Sequence, residues 1–250
     1  MNAFREAAQP HREIPFALRM EALELVRAVA PLPFVPQNAA EREQRCEEIL
    51  RIQAGGLARR MAHAHAKCAV IGVSGGLDST LALIVAARAA RLAGLGEGGV
   101  VAVTMPCFGT TERTHANALK LAEGLGAQLI EVNIAESTLT HLRDIGHSPD
   151  DHDVTYENAQ ARERTQVLMD IANQRGGLVV GTGDLSESAL GWATYNGDHM
   201  SMYGVNCGVP KTLVRWMIDS IISCNIFKNS TADCGFKTRL LPCRVKSPFW

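Results

Sequence analysis

The sequence lacks an excess of either charge, which limits the ligands and surfaces that the chain can bind. Its 25 Lys and Arg residues stand against 26 Asp and Glu residues, so the formal net charge is −1 at pH 7. Nonspecific binding to nucleic acid or to an acidic membrane requires a basic surface, and we expect neither as a partner. Any anionic ligand must therefore be held by a local site.

Two further absences concern cysteine and apolar runs. The seven cysteines form no Cys-x-x-Cys pair and are odd in number, which argues against a disulfide framework and against a zinc site. The chain opens with no basic-then-apolar signal segment, and no apolar run reaches the ~18 residues of a membrane span. We therefore expect a protein of the reducing cytoplasm.

The chain divides into three parts by pattern. Residues 1–40 include the proline-punctuated "PLPFVP", which we interpret as a linker or remnant. Residues 41–223 form the predicted domain, which begins with one or two helices because Gly55-Gly56 interrupts the helical spacing. Residues 224–250 have no convincing period, and we treat them as a tail of doubtful structure.

Strand-like and helix-like segments alternate through the predicted domain. Short apolar strands are predicted at 68–73, 99–105, 128–133 and 178–181. Helices are predicted at 79–92, 114–125, 158–173, 186–193 and 211–222. Apolar strands between amphipathic helices predict an α/β fold, a doubly wound parallel sheet flanked by helices on both faces.

The stretch "VIGVSGGLDST", residues 70–80, runs from a buried strand through a glycine-rich turn into a helix. The first N–H groups of a helix have no partner within the helix, and together with the helix dipole they attract anions. Gly75 and Gly76 allow the backbone to approach a phosphate closely, and nearby hydroxyls can donate further hydrogen bonds. These hydroxyls belong to Ser74, Ser79 and Thr80.

Asp78 is the unexpected residue of this loop, because a carboxylate repels a phosphate unless a cation lies between them. We infer that Mg²⁺ bridges Asp78 and a di- or triphosphate. No lysine follows the glycines, so the loop is neither the P-loop of NTPases nor the dinucleotide-binding fingerprint. A glycine turn that merely begins a helix, with no ligand, remains the structural alternative.

The string Ser-Gly-Gly-x-Asp-Ser resembles the pyrophosphate-binding loop of the N-type ATP pyrophosphatases, which have the adenine nucleotide alpha hydrolase-like fold. Three further stretches resemble the synthetase domain of glutamine-dependent NAD synthetases. These are "ENAQARERTQVLMDIAN", "GTGDLSESALGWATYNGDHMSMYGVN" and "PKTLVR". The resemblance covers roughly residues 31 to 222 and places the chain, as an expectation, in the NAD synthetase family.

The resemblance implies an ATP-dependent amidation of deamido-NAD to NAD, the last step of NAD biosynthesis. Adenylation of the nicotinate carboxylate releases pyrophosphate, and ammonia then displaces AMP. It also implies ATP as substrate, Mg²⁺ as metal and a homodimer or larger homo-oligomer. Another N-type ATP pyrophosphatase, or a truncated nucleotide-binding fragment without catalysis, remains as the alternative function.

The resemblance also implies the site residues. For ATP these are Gly72, Val73, Ser74, Gly75, Gly76, Leu77, Asp78, Ser79 and Thr182. For deamido-NAD they are Asn158, Arg162, Glu187, Trp192 and Asp198. Asp78 and Glu187 are the implied metal ligands, and Lys211 joins them as a catalytic residue that contacts phosphate.

The residue types alone leave structural alternatives open for several of these positions. Trp192 could be a core tryptophan, and Glu187 could be a carboxylate favoured by a helix dipole. Lys211 could cover a helix end, and Arg162 could belong to a solvated face.

The chain departs from the long members of the family at both ends. The 40 residues before the predicted domain are too few for a glutaminase domain, so we expect the chain to use free ammonia or ammonia from a separate glutaminase. Residues 224–250 match no family segment, which leaves open a truncated or frameshifted reading frame.

Overall fold

The computed structural model of the chain describes residues 14–18, 26–108 and 112–224. Residues Met1–Pro31 form a unit of their own, in which the described stretches are irregular and their side chains are exposed. The predicted tail lies outside the described residues, except for Cys224. Among the described residues, no helix has the length and apolarity needed to cross a membrane.

The second unit, Leu32–Trp250, contains all the described helices and strands. The helices are α1 (Ala39–His63), α2 (Leu77–Leu92), α3 (Glu112–Leu125), α4 (Ala135–Asp144), α5 (Val154–Arg175), α6 (Leu185–Leu190) and α7 (Lys211–Cys224). The strands are β1 (Ala69–Gly72), β2 (Val100–Thr104), β3 (Gln128–Glu131), β4 (Leu178–Gly181) and β5 (Tyr203–Gly204).

The strands form a five-stranded sheet in the order β3-β2-β1-β4-β5, and each neighbouring pair is parallel. The chain therefore builds outward from β1 through β2 to β3, and then crosses back to add β4 and β5 on the other side. In such sheets the crevice at the reversal, beside the carboxyl ends of the strands, is where ligands bind. This architecture confirms the predicted doubly wound α/β fold.

The central strand β1 is buried on both faces because its side chains alternate between two apolar clusters. Ala69 and Ile71 belong to the larger cluster, which includes residues of α1, α2, α3 and α7. Val70 belongs to the smaller cluster, which packs against α5 on the opposite face. The core thus covers both faces of the central strand, whose carboxyl end opens on the loop that follows it.

The structure decides between the one or two helices predicted at the start of the domain, and it adds two elements that the pattern did not predict. Helix α1 runs without interruption through Gly55 and Gly56. A Cβ atom on Gly56 would lie 2.6 Å from the hydroxyl oxygen of Tyr203, so the glycine there permits a close contact with β5. The pattern also missed α4 and β5. Strand β5 has two residues, too few for an alternating pattern to appear.

The adjacent glycines of α1 provide a matched pair of substitutions. We expect Gly55→Ala to raise the free energy of unfolding by about 0.5–1 kcal/mol, because the added methyl group meets open space and alanine favours a helix interior. Gly56→Ala should give no gain or a loss, because the hydroxyl end of Tyr203 must move. Urea denaturation measures both, and an equal gain in the two variants would contradict the packing role of Gly56.

Candidate active site

The glycine-rich turn after β1 forms the start of α2. Gly76 is the N-cap with an extended backbone, and no side chain among the described residues caps the helix there. Gly75 has φ +78°, and a Cβ atom at this position would lie 2.3 Å from the carbonyl oxygen of Thr114. Only glycine fits, because the backbone is left-handed and α3 packs directly behind it. The turn leaves the first N–H groups of α2 available to an anion.

Two hydroxyls of this turn are committed to its own backbone. Those of Ser79 and Thr80 both donate to the carbonyl oxygen of Gly76, at 3.1 and 2.7 Å. The hydroxyl oxygens of Ser74 and Ser79 lie 3.2 Å apart, and the Ser74 hydroxyl accepts from the Gly76 amide. These bonds hold the loop in shape. Donation from the same hydroxyls to a phosphate, predicted from the sequence, stays a prediction.

A cluster of three carboxylates and one ammonium lies beside this turn. The Nζ atom of Lys211 is 2.7 Å from Asp78 Oδ2, 2.7 Å from Asp184 Oδ2 and 3.2 Å from Glu187 Oε1. One oxygen from each carboxylate lies within 4.8 Å of the others. The predicted residues Asp78, Glu187 and Lys211 therefore meet in one place, although 133 positions separate Asp78 from Lys211.

Burial controls the electrostatics of the cluster. Asp184 is fully buried, and Asp78 and Lys211 are partly buried. Burial raises the pKa of Asp78, Lys211 opposes this rise, and the charges of Glu187 and Asp184 add to it. Burial alone would lower the pKa of Lys211, but its bonds to Asp184 and Asp78 raise that pKa above the ordinary value. Lys211 therefore stays protonated, and the three carboxylates exceed its single positive charge.

The start of α6 fixes two of the carboxylates by local hydrogen bonds. Asp184 accepts from the Glu187 amide at 2.9 Å, and the Glu187 side chain accepts from the Asp184 amide at 3.1 Å. This reciprocal capping box orients both side chains. The amide of Lys211 donates to the hydroxyl of Ser186 at 3.1 Å, which holds the start of α7 against α6.

The cluster has the donor set that a hard divalent cation prefers. Mg²⁺ is bound by carboxylate oxygens, and an excess of negative charge attracts it. Asp78 Oδ1 is buried and has no hydrogen-bond partner among the described residues, so it has a lone pair to offer. The residues therefore fit Mg²⁺, with Asp78 and Glu187 as predicted ligands and Asp184 as a third carboxylate.

A cleft of about 760 Å³ lies at the carboxyl ends of β1, β2 and β4. Its lining includes six predicted site residues, Gly72, Val73, Ser74, Gly76, Thr182 and Asp198. Its α5 side carries Tyr156, whose ring stacks on Phe108 at 5.8 Å and on His152 at 4.5 Å between centroids. The cleft has room and flat apolar surface for a nucleoside next to the glycine turn.

The remaining predicted residues lie on α5 and on the loop after α6. Arg162 donates to the carbonyl oxygen of Tyr195 at 3.1 Å, and Asp198 accepts from the hydroxyl of Thr194. Trp192 is 79% exposed, which excludes the alternative that it is a core tryptophan. Within the described part of the chain, the side chains of Asn158, Arg162 and Trp192 make no hydrogen bond or ion pair to the carboxylate cluster.

Sequence reasoning missed three residues of this region. Asp184 had a signal, because Asp-x-x-Glu directly after a strand is a capping box that orients both carboxylates. Asn206 and Gln53 had none, because both act through contacts between distant segments. Asn206 is fully buried and bonds to the backbone of Asp78 and of Thr182, and Gln53 bonds to Asn206.

Comparison with known families assigns the chain to one of them. A family model described as NAD synthase matches residues 49–226. The chain belongs to the NAD synthase family. The matched range includes the glycine turn, the carboxylate cluster and the lining of the cleft, so every described site residue lies within the family domain.

Curated relatives in the NAD synthase family are similar along most of this chain. It is 47% identical to the glutamine-dependent NAD(+) synthetase of Mycobacterium tuberculosis strain H37Rv over 236 aligned residues. The aligned region covers 92% of this chain and 35% of the relative. It is 45% identical to that of Mycobacterium leprae, over 95% of this chain and 37% of the relative. The chain spans about a third of the length of the curated relatives it matches.

Solved structures of NAD synthetases share the fold. The glutamine-dependent NAD+ synthetase of Acinetobacter baumannii, solved with ADP, matches 82% of this chain and 37% of its own with a TM-score of 0.66 and 26% identity. The NH3-dependent NAD synthetase of Campylobacter jejuni matches 78% of this chain and 77% of its own, with a TM-score of 0.63 and 23% identity. Both support the adenine nucleotide alpha hydrolase-like fold, and the second likeness shows the fold alone.

The ion pairs of Lys211 predict a measurable loss of stability. Lys211→Met leaves the buried carboxylate of Asp184 without its ammonium partner, and we expect the free energy of unfolding to fall by about 2 kcal/mol. The loss is smaller than for a fully buried pair because the Lys211 side chain is 37% exposed. Urea denaturation measures it, with Lys120→Met at an exposed position as the control.

A second variant separates lost charge pairing from lost packing. Adding Asp184→Asn to Lys211→Met removes the unpaired buried charge and should recover part of the stability. If the double variant is no more stable than Lys211→Met, the loss does not come from the charge of Asp184.

Proposed function

We propose that this chain catalyses the ATP-dependent amidation of deamido-NAD to NAD, with release of AMP and pyrophosphate. Membership of the NAD synthase family supports a ligase of this kind. The observation that carries the proposal is the carboxylate cluster beside a glycine turn that presents helix N–H groups. Four residues of this turn, Gly72, Val73, Ser74 and Gly76, line the cleft. This arrangement is suited to a nucleoside triphosphate held together with a divalent cation.

The proposed assignment of the substrates follows the two parts of the site. ATP occupies the cleft, with its phosphates on the turn Gly72–Ser79 and with Thr182 beside them. Deamido-NAD lies toward α5 and the loop after α6, where the predicted residues Asn158, Arg162, Trp192 and Asp198 are found. Glu187 is assigned to the junction of the two sites, because it pairs with Lys211 and lies in the first turn of α6.

The chemistry needs an activated carboxyl group and a stabilised leaving group. An oxygen of the nicotinate carboxylate attacks the α-phosphorus of ATP, the bond from that phosphorus to the bridging oxygen breaks, and pyrophosphate leaves. Ammonia then adds to the acyl carbon, AMP leaves with the bonding electrons, and a proton is released from nitrogen. The protein contributes mainly position and charge, since both steps are transfers between aligned groups.

The residues of the cluster have distinct proposed roles. The N–H groups at the start of α2 and the ammonium of Lys211 stabilise negative charge on the departing pyrophosphate. Asp78 and Glu187 would hold Mg²⁺, which when bound neutralises charge on the ATP phosphates. Asp184, fully buried, keeps Lys211 protonated and in place.

The nitrogen source and the assembly are also proposals. We propose that the chain accepts free ammonia, or ammonia made from glutamine by a separate glutaminase. We propose a homodimer or larger homo-oligomer, which the exposed apolar side chains of Leu190, Trp192 and Tyr195 support. Sedimentation velocity that shows a monomer at micromolar concentration would contradict the assembly.

The direct test measures products. The purified chain is given ATP, Mg²⁺, deamido-NAD and ammonium, and chromatography should detect AMP and NAD in equal amounts. Asp78→Asn should lower the rate by about 10²-fold or more with the fold intact, because it weakens the metal and phosphate site. The exposed Asp170→Asn on α5 is the matched control and should keep the full rate.

The outcomes of this assay separate the alternative functions. Bound ATP without AMP under these conditions would overturn the proposed reaction and support a nucleotide-binding fragment. AMP formation with xanthylate or aspartate instead of deamido-NAD would indicate another N-type ATP pyrophosphatase. NAD formation with glutamine alone would contradict the proposed use of ammonia.

The exposed indole of Trp192 predicts a selective effect on the second substrate. We expect Trp192→Ala to raise the KM for deamido-NAD about fivefold and to leave ATP affinity unchanged, because a lost stacking surface costs about 1 kcal/mol. The fold should persist, since the side chain is 79% exposed. Leu190→Ala, 75% exposed and two residues away, is the control, and equal effects of both variants would contradict a stacking role.

A further inference from the structure

The two strands that flank the proposed ATP phosphates are paired only at their amino-terminal halves. The ladder between β1 and β4 joins Ala69 with Leu178 and Val70 with Val179. Beyond these pairs, the end of β1 and the end of β4 both line the cleft. The sheet ladder therefore does not set the separation of the two strand ends at the phosphate site.

A buried side-chain amide joins the segments that follow these two strands. Asn206 is fully buried, and its Nδ2 atom donates to the carbonyl oxygen of Asp78 at 3.0 Å and to that of Thr182 at 3.1 Å. Asp78 lies in the first turn of α2 and Thr182 directly follows β4, so one planar NH₂ group joins the start of α2 to the end of β4. Its two N–H bonds point in fixed directions, which confines both carbonyl groups.

The chain places Asn206 there through β5. Val180 and Gly181 of β4 pair with Tyr203 and Gly204, and Asn206 follows two residues after this last strand. The edge strand, although short, thus positions the amide between the start of α2 and the end of β4. Asn206 is neutral, so it joins these two segments without adding charge to the carboxylate cluster.

Gln53 of α1 fixes the orientation of this amide. Its Nε2 atom donates to Asn206 Oδ1 at 3.1 Å and to the carbonyl oxygen of Val205 at 2.9 Å. Because Oδ1 accepts from Gln53, the NH₂ group of Asn206 must face the two carbonyl groups. Gln53 is 8% exposed, so this anchor is shielded from water.

We propose that Asn206, anchored by Gln53, is a positioning residue that sets the distance between Asp78 and Thr182 across the ATP phosphate site. The inference rests on the proposed function, because the proposed function places the ATP phosphates between Asp78 and Thr182. Asn206 acts through backbone carbonyl groups and touches no reacting atom. Its loss should therefore change ATP affinity more than the affinity for the second substrate.

The test is Asn206→Ala, with ATP in the presence of Mg²⁺ and deamido-NAD titrated separately by calorimetry. We expect the Kd for ATP to rise about tenfold, equivalent to about 1.4 kcal/mol, and the Kd for deamido-NAD to change less than about twofold. If Asn206 had a purely structural role, its loss would weaken the binding of both ligands equally or of neither. An unchanged Kd for ATP in this variant would overturn the inference.

Val205→Ala is the control for general destabilisation. Val205 is buried beside Asn206, and its truncation leaves a cavity but keeps both backbone hydrogen bonds of the amide possible. It should lower the melting temperature and leave the Kd for ATP unchanged. If Val205→Ala weakens ATP binding as much as Asn206→Ala at a similar loss of melting temperature, the effect is not specific and the inference fails.

Gln53→Met tests the anchor and keeps the length of the side chain. This variant keeps both hydrogen bonds that Asn206 donates but removes the bond from Gln53 that orients its amide. We therefore expect a smaller rise in the Kd for ATP than with Asn206→Ala. A larger rise would contradict the assignment of Asn206 as the positioning residue and Gln53 as its anchor. If the unchanged chain binds no ATP, the proposed function and this inference fail together, whereas unaltered ATP binding in both variants overturns the inference alone.

Discussion

The meeting of one ammonium with three carboxylates is the interaction on which this site depends. Lys211 comes from the start of α7, Asp78 from the start of α2, and Asp184 and Glu187 from the start of α6. The ammonium offsets the repulsion among these like-charged carboxylates in a partly buried place. Their excess negative charge is then available to a divalent cation.

The sheet makes this meeting possible through its order of strands. Because β1 and β4 are neighbours, the turn that follows β1 and the loop that follows β4 open on the same edge. The glycine turn presents N–H groups and the carboxylate of Asp78, and the segment after β4 adds the carboxylates of Asp184 and Glu187. A phosphate with a bound cation complements both the N–H groups and the carboxylates, which is why the arrangement supports a nucleotide ligand.

The buried and the exposed residues of the site have different roles. The fully buried residues, Asp184 and Asn206, hold other groups in place, whereas Trp192 is 79% exposed on the loop after α6. A buried polar group persists only when its hydrogen bonds or charges are matched, so these inner residues tie the loops to the core. The partly exposed members, Asp78, Glu187 and Lys211, remain accessible to a ligand.

The sequence by itself determined the fold class, the glycine-rich turn after the first strand and the family. Alternating apolar and amphipathic segments predict a parallel sheet because strand and helix periods differ, and Ser-Gly-Gly-x-Asp-Ser is a local string whose geometry depends on adjacent residues. The motif residues Asp78, Glu187 and Lys211 were also predicted, by resemblance, and the structure brings them together.

Only the tertiary structure decided how distant residues act on one another. The bond from Asn206 to Asp78 joins positions 128 residues apart, and the bonds from Gln53 span 152 and 153 residues. No local period marks such partners, because their contact depends on the order of strands and on the path of β5. The close approach of Gly56 to Tyr203 was likewise visible only in the tertiary structure, because a Cβ atom there would lie 2.6 Å from the hydroxyl oxygen of Tyr203.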